Sequence, residues 1–320
     1  MPFLKLNQAF VALGTLALSG ITLTTHAAYP EKNIQYVIAF AAGGESDIKA
    51  RWQQTIFRKK YKHEMIVVNK PGAGGGLAWS QLNGMSADGY SIVGCNLPHI
   101  VLQPLEGQVQ YKTDDITPAY WFHYTADALI VSADSPFKTF ADLVKAAKAE
   151  PGKLTFAGSA TYSANHVAHE KFNQFADVKT TYVPFKGTGD MIQSIIGRHV
   201  SGAMSYVPLA LQQRQRMRML AVALEKRHPA FPDVPTFKEL GYKWVDGAYR
   251  GVAVPKSTPR DVIKRVSDLM AELNKDPDIL KWMADGGFEA VDVPFDKSPA
   301  FMKELTGGYL QAAKRMGLLK

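Results

Sequence analysis

Ile34-Gln35-Tyr36-Val37-Ile38-Ala39-Phe40, running straight into Ala41-Ala42-Gly43-Gly44-Glu45-Ser46-Asp47, is the stretch that decides the fold class. An apolar run of strand length suits a buried strand, and the glycine pair marks a tight turn after it. Residues 47–60 then read as a helix with Ser46 or Glu45 at its N-cap. The succession recurs as strand 65–68, glycine loop 71–76 and helix 77–85, followed by strand 91–94. Further along come strand 128–132 and a helix from its Thr139 cap to Ala149, stopped by Pro151-Gly152. Strand 154–157, loop 158–163 and helix 164–174 follow, then strand 181–184, loop 185–189 and helix 190–196. Strands 202–205 and 218–223 flank a short helix at 209–216. Strand 249–254 and helices 259–273, 278–285 and 298–316 complete the chain. Strand-length apolar runs alternating with helical patterns predict an α/β protein with mostly parallel strands. The order of elements predicts two lobes crossed twice by the chain, near 128–131 and 250–254. The C-terminal helices are expected to pack on the first lobe.

The 320 residues carry 37 Lys plus Arg against 29 Asp plus Glu, a formal charge of +8, with 46% apolar and 21% charged residues. That balance belongs to an ordinary globular protein and excludes a disordered chain, a collagen-like fibre and a multi-span membrane protein. The length points to two domains. A single cysteine, Cys95, excludes a disulfide framework within the chain, and a zinc-finger type of site with it. Lys5 is the only charge before an apolar run from Ala9 to Leu23, and small and polar residues follow. This is the pattern of a secretory signal peptide over residues 1–27, with cleavage after Ala27 (Thr25 at −3) or after Ala28. The run is short for a membrane span. Removing Lys5 takes the charge from +8 to +7, so the basicity belongs to the exported part. Basic character then suits acidic small molecules better than nucleic acid, with a solvated lysine-rich surface as the plainer explanation.

Three strand-to-helix loops share one composition: residues 42–47, 158–163 and 186–190. In an α/β sheet such loops lie at the carboxyl ends of strands, where ligands bind. Each leads into a helix N-terminus whose free N–H groups and partial positive charge suit an anion. Taken singly, Gly and Ser there are ordinary turn and capping residues; the threefold recurrence favours a site.

Other motifs carry less. The run Pro71-Gly72-Ala73-Gly74-Gly75-Gly76 lacks the Gly-Lys-Ser/Thr of an NTPase loop and, with Leu77, the third glycine of a dinucleotide fingerprint. His166, His169 and Glu170 do not match the zinc-protease spacing. Ser159, His166 and Asp190 have the residue types of a hydrolytic triad without a Gly-x-Ser-x-Gly elbow. Arg214, Arg216 and Arg218 lack the interleaved aromatics of a nucleic-acid surface.

The ordered set of motifs resembles the exported solute receptors of the tripartite tricarboxylate transporter family, TctC-like proteins also known as the Bordetella uptake gene (Bug) family. The resemblance is carried by Ala41-Ala42-Gly43-Gly44-x-x-Asp47, Val67-Val68-Asn69-Lys70-Pro71-Gly72-Ala73-Gly74-Gly75 and Ala87-Asp88-Gly89-Tyr90-Ser91. It continues through Gly158-Ser159 with His166, Val183-Pro184-Phe185-Lys186-Gly187, and Pro232-Asp233-Val234-Pro235-Thr236 with Glu239-Leu240-Gly241-Tyr242. Gly251-Val252-Ala253-Val254-Pro255 with Thr258-Pro259 completes it, so nearly the whole exported chain is covered.

The resemblance implies a two-lobed periplasmic binding protein of the type II-like, Venus-flytrap kind, each lobe a mixed sheet flanked by helices, with the ligand cleft between them. Residues 28–130 and 251–320 would form lobe 1, and residues 131–250 lobe 2. It implies a non-enzymatic receptor that takes a di- or tricarboxylate or related organic acid and delivers it to cytoplasmic-membrane permease subunits. No cofactor, metal or nucleic acid is expected, and a monomer is. Carried onto this chain, the binding residues would be Gly43, Gly44, Glu45 and Asp47 of the first loop, and Ser159, Ala160, Thr161, Tyr162, Asn165 and His166 of the second. Lys186, Gly187 and Thr188 would form a third loop, and Ser205 with Tyr206 a fourth. Charge-assisted hydrogen bonds, at about 1.5–3 kcal/mol each, would hold a carboxylate without a salt bridge. Glu45 departs from an anion-binding loop, since its carboxylate would repel the guest unless turned away. Alternative readings make the chain the ligand-sensing partner of a two-component histidine kinase, or a periplasmic serine hydrolase using Ser159 and His166.

Overall fold

The computed structural model describes residues 29–319, so the expected signal peptide lies outside the described residues. Ten strands are present among them: β1 (Ile34–Ile38), β2 (Met65–Asn69), β3 (Ser91–Leu97), β4 (Thr117–Ser132), β5 (Thr155–Ser159), β6 (Thr181–Phe185), β7 (Gly202–Tyr206), β8 (Met217–Val222), β9 (Gly247–Val254) and β10 (Glu289–Pro294). Their order is β2-β1-β3-β9-β4-β7-β5-β6, and β8 and β10 also pair with β4.

β4 holds the molecule together. Its first part pairs with β9, from Thr117↔Val254 to Ala126↔Gly247. Its second part pairs with β7, from Asp127↔Tyr206 to Ile130↔Ala203, and with β8. One 16-residue strand therefore runs from one lobe into the other, and the chain returns through Asp246 into β9, where the Asp127 N–H donates to the Asp246 carbonyl at 3.0 Å.

The expectation of mostly parallel strands is corrected. β1 is parallel to β2 and β3, and β5 to β6 and β7, because helices return the chain between them. The five pairings made by β4 and β9 are antiparallel, since these two strands carry the chain out and back.

Strand alternation puts an apolar layer on each face. In lobe 1, Tyr36, Ile38 and Phe122 face helices Glu45–Tyr61 and Arg260–Asn274. Val37, Val93 and Trp121 face the opposite layer, which includes Trp79 and helices His99–Glu106 and Ser298–Arg315. In lobe 2, Ala128 and Ile130 join Val207 and Met219, while Leu129 and Val131 join Phe140, Phe156 and Phe172. The C-terminal helices thus pack on lobe 1, as expected. Thr139 caps helix Phe140–Ala149 by accepting from the Asp142 N–H. The first helix begins two residues earlier than expected, at Glu45, with Gly44 as N-cap in place of Ser46 or Glu45. The helix expected over 77–85 is shorter, Gly76–Gln81 followed by a 3-10 turn, and the one over 209–216 moves to Val207–Gln212, started by Pro208.

Candidate ligand-binding cleft

The parallel strands of both lobes point their carboxyl ends at each other. β1 and β3 end at Ile38 and Leu97; β5, β6 and β7 end at Ser159, Phe185 and Tyr206. The loops that follow meet in direct contact. A Cβ on Gly189 would stand 2.2 Å from the Ala42 carbonyl oxygen, and one on Gly44 2.8 Å from Thr188 Oγ1. Glycine at these positions lets the two lobes close backbone to backbone.

Between the loops lies a cavity of about 20 Å³, room for about one water. Lobe 1 lines it with Gly44, Glu45, Ser46, Asn96, His99 and Arg250; lobe 2 adds Ser159, Thr188 and Tyr206. Glu45 and Arg250 are only 4% and 3% exposed. Thr188 Oγ1 donates to Glu45 Oε2 at 2.6 Å, and Arg250 Nη2 stands 3.7 Å from the same oxygen. The guanidinium lies 4.6 Å over the Tyr206 ring, donates through Nη1 to Thr125 Oγ1 and the Ala248 carbonyl, and keeps a buried Nε without a partner. Asn96 Nδ2 donates to Ser46 Oγ at 3.2 Å. Burial first, then Arg250, pushes His99 down to about 3, so its imidazole is neutral at physiological pH. The Tyr206 hydroxyl, Ser205 Oγ and His99 Nδ1 are buried without partners.

The structure sorts the expected residues into groups. Gly44, Glu45, Ser159, Thr188 and Tyr206 share the cavity. Gly43, at φ +78, shapes the first turn, and Asp47 braces it: the carboxylate accepts the Gly43 N–H at 3.0 Å and pairs with Arg51 at 2.9 Å. Asp47 is thus engaged behind the loop. Gly187 lies against Ala41, and Ser205 is buried beside Tyr206. Asn165 does not line the cavity but positions Ser159, its Oδ1 accepting from both the Ser159 N–H and Oγ. Ala160, Thr161 and Lys186 line a neighbouring groove of about 270 Å³ with Gly72 and Gly74, where Gln103 Nε2 donates across the lobes to the Thr161 carbonyl at 2.6 Å. His166 Nδ1 accepts the Tyr162 N–H at 3.0 Å, and its ring stacks on Tyr182. Burial, partly opposed by Glu170, pushes His166 down to about 4.

Ser159 Oγ is given to Asn165 and His166 Nδ1 to a backbone N–H, so the contact a serine hydrolase needs is not made in this arrangement. Among the described residues no group of three or more His, Cys, Asp and Glu is placed to hold a metal, and no helix is long and apolar enough to cross a membrane. Wider grooves exist, of about 720 Å³ beside Phe295 and Met302 and about 710 Å³ along helix Ser298–Arg315. Neither collects the strand-end loops of both lobes.

Sequence reasoning missed Arg250, Asn96 and His99. Arg250 carries its own signal: a lone charge inside the apolar strand Gly247–Val254, registered opposite Asn96 on β3 and His123 on β4.

Comparison with known proteins agrees with this geometry. The family described as "Tripartite tricarboxylate transporter family receptor" matches residues 49–306. A UPF0065 protein in the gbd 5'region of Cupriavidus necator is 28% identical over 98% of this chain and 97% of its own. A solved structure described as a periplasmic transporter superposes with a TM-score of 0.85 at 27% identity, covering 91% of this chain and 99% of that one. The periplasmic binding protein BugD superposes with a TM-score of 0.84 at 26% identity, over 91% and 99%. With a family match running through both lobes and across each passage between them, the chain belongs to the tripartite tricarboxylate transporter receptor family.

Proposed function

We propose that this protein is a periplasmic receptor that closes its two lobes on a small carboxylate and presents it to membrane permease subunits, without catalysing a reaction. Arg250 carries the reading. It is a guanidinium buried where the strand ends of both lobes converge, with an unpartnered N–H and neutral donors around it. A carboxylate entering there gains a charge-assisted hydrogen bond and the dipole of helix Glu45–Tyr61. Contacts from Ser159, Thr188 and Tyr206 exist only when the lobes are close, so binding favours the closed state. The cavity of about 20 Å³ is too small for any organic acid, and entry requires the lobes to part.

Within this reading the lobe bounds move from the expected 130 and 250 to the exchange near Asp127 and Asp246, so that Ala128 to Ile130 go with lobe 2 and Arg250 with lobe 1. The relatives described as periplasmic, together with the sequence pattern of residues 1–27, support export. Isothermal calorimetry with a panel of mono-, di- and tricarboxylates tests the proposal. A saturable 1:1 ligand is expected, its affinity lost in Arg250→Met; no heat from any acid overturns it.

A further inference from the structure

Glu45 gives the cleft a charge pattern that a plain carboxylate receptor does not need. Glu45 and Arg250 are the two charged side chains of the cavity wall, and both are almost fully buried. Glu45 cannot turn to solvent, because it is the first residue of helix Glu45–Tyr61 and is packed beneath the opposing loop. Among the described residues its one hydrogen-bond donor is Thr188, which belongs to the other lobe and leaves when the lobes part.

We infer that the ligand is a carboxylate that also carries an ammonium group, its carboxylate facing Arg250 and its ammonium facing Glu45. The inference rests on the carboxylate-receptor reading above and narrows it. The wall itself sums to zero, one guanidinium against one carboxylate. A plain dicarboxylate would place two further negative charges beside Glu45 with a single guanidinium to answer them. In a closed, poorly hydrated cavity that excess is expensive. His99 does not relieve it, since the imidazole is held neutral. A ligand with one carboxylate and one ammonium leaves every buried charge paired, an amino dicarboxylate leaves a smaller excess than the plain dicarboxylate, and the ammonium gives Glu45 a second donor beside Thr188. The dipole of helix Glu45–Tyr61 favours the carboxylates of both acids alike and opposes an ammonium beside Glu45, so the Glu45 carboxylate has to outweigh it.

Calorimetry on matched pairs reads this directly: propionate against alanine, succinate against aspartate, glutarate against glutamate. In each pair that binds, the amino member is expected to bind about tenfold or more tightly than the plain acid. Glu45→Gln keeps the shape and an acceptor for Thr188 while removing the charge. It is expected to weaken the amino member about tenfold and to tighten the plain acid. The wild-type comparison stands alone should that variant not fold. Equal or tighter binding of the plain acids by the wild type overturns the assignment to Glu45 and leaves the carboxylate receptor standing. No heat from these pairs or from any organic acid overturns the receptor reading, and this inference with it.

Discussion

Thr188 Oγ1 and Glu45 Oε2, 2.6 Å apart, join the third loop of one lobe to the first helix residue of the other. The bond is made to a charged acceptor in a buried place, where such bonds contribute about 1.5–3 kcal/mol. Neither lobe needs it to fold, since each has its own apolar layers. In the proposed receptor it would act on the equilibrium between open and closed arrangements. Thr188→Val keeps the side-chain shape and removes the donor. Small-angle scattering of the ligand-free protein should show a larger radius of gyration in the variant, with unchanged circular dichroism. An unchanged radius would mean that other contacts hold the lobes together.

Gly189 tests closure by sterics rather than by hydrogen bonding. A methyl there would stand 2.2 Å from the Ala42 carbonyl oxygen, a backbone atom of the opposite lobe that cannot swing aside. Gly189→Ala should therefore prop the cleft open. Ligand affinity should fall about tenfold or more, while the melting temperature of the ligand-free protein changes little, as for a substitution outside any core. A variant that melts much lower, with affinity intact, would place the clash within a lobe.

The first-lobe turn is legible in the sequence because its chemistry is local. A glycine pair after a buried strand specifies the turn, where Gly43 takes φ +78, and Ser or Thr before an apolar run specifies a cap. Elements whose cause is tertiary are not legible. The first part of β4 holds Pro118 and His123, which break an apolar run, and it is a strand because β9 and β10 pair with it on either side. Helix His99–Glu106 contains Pro104, read locally as a breaker. β10 is a half-exposed strand whose pattern gains meaning only beside Trp121 and Tyr124. In the cleft, loop composition leads to Glu45, Ser159 and Thr188, whereas Arg250 arrives from a strand distant in sequence. Asp47 shows the converse, a loop carboxylate committed to bracing its own turn.

Arg250 and Glu45 are expected to be coupled in stability as well as in binding. Removing one member of a buried ionic pair strands the other, at a cost of about 3–5 kcal/mol, whereas removing both can be nearly neutral. Arg250→Met should thus be strongly destabilising in urea unfolding, and Glu45→Gln less so, because Arg250 retains Thr125, the Ala248 carbonyl and the Tyr206 ring. The double variant should recover part of the loss, giving a coupling energy of at least about 1 kcal/mol. Additive losses would show that the 3.7 Å separation carries no net interaction.

Lys49 has a different place in the molecule, and it sets a pH dependence. It lies one helical turn beyond Glu45, fully buried, with Nζ 2.9 Å from Met283 Sδ and 5.8 Å from the Phe122 ring centre. Among the described residues no carboxylate is within ion-pair reach, and burial holds its pKa well below 10.5. The folded state therefore favours the neutral amine, while the unfolded chain binds the proton. As pH falls below 10.5, the wild type loses stability by about 1.4 kcal/mol per pH unit from this group, until the folded-state pKa is reached. Lys49→Met removes the titration and keeps the length of the side chain. The variant should be more stable than the wild type at pH 7, with an advantage that grows from pH 10 downward and then levels off. Urea unfolding at pH 9, 8, 7 and 6 measures the difference. A constant difference across that range would show that Lys49 keeps its proton on folding.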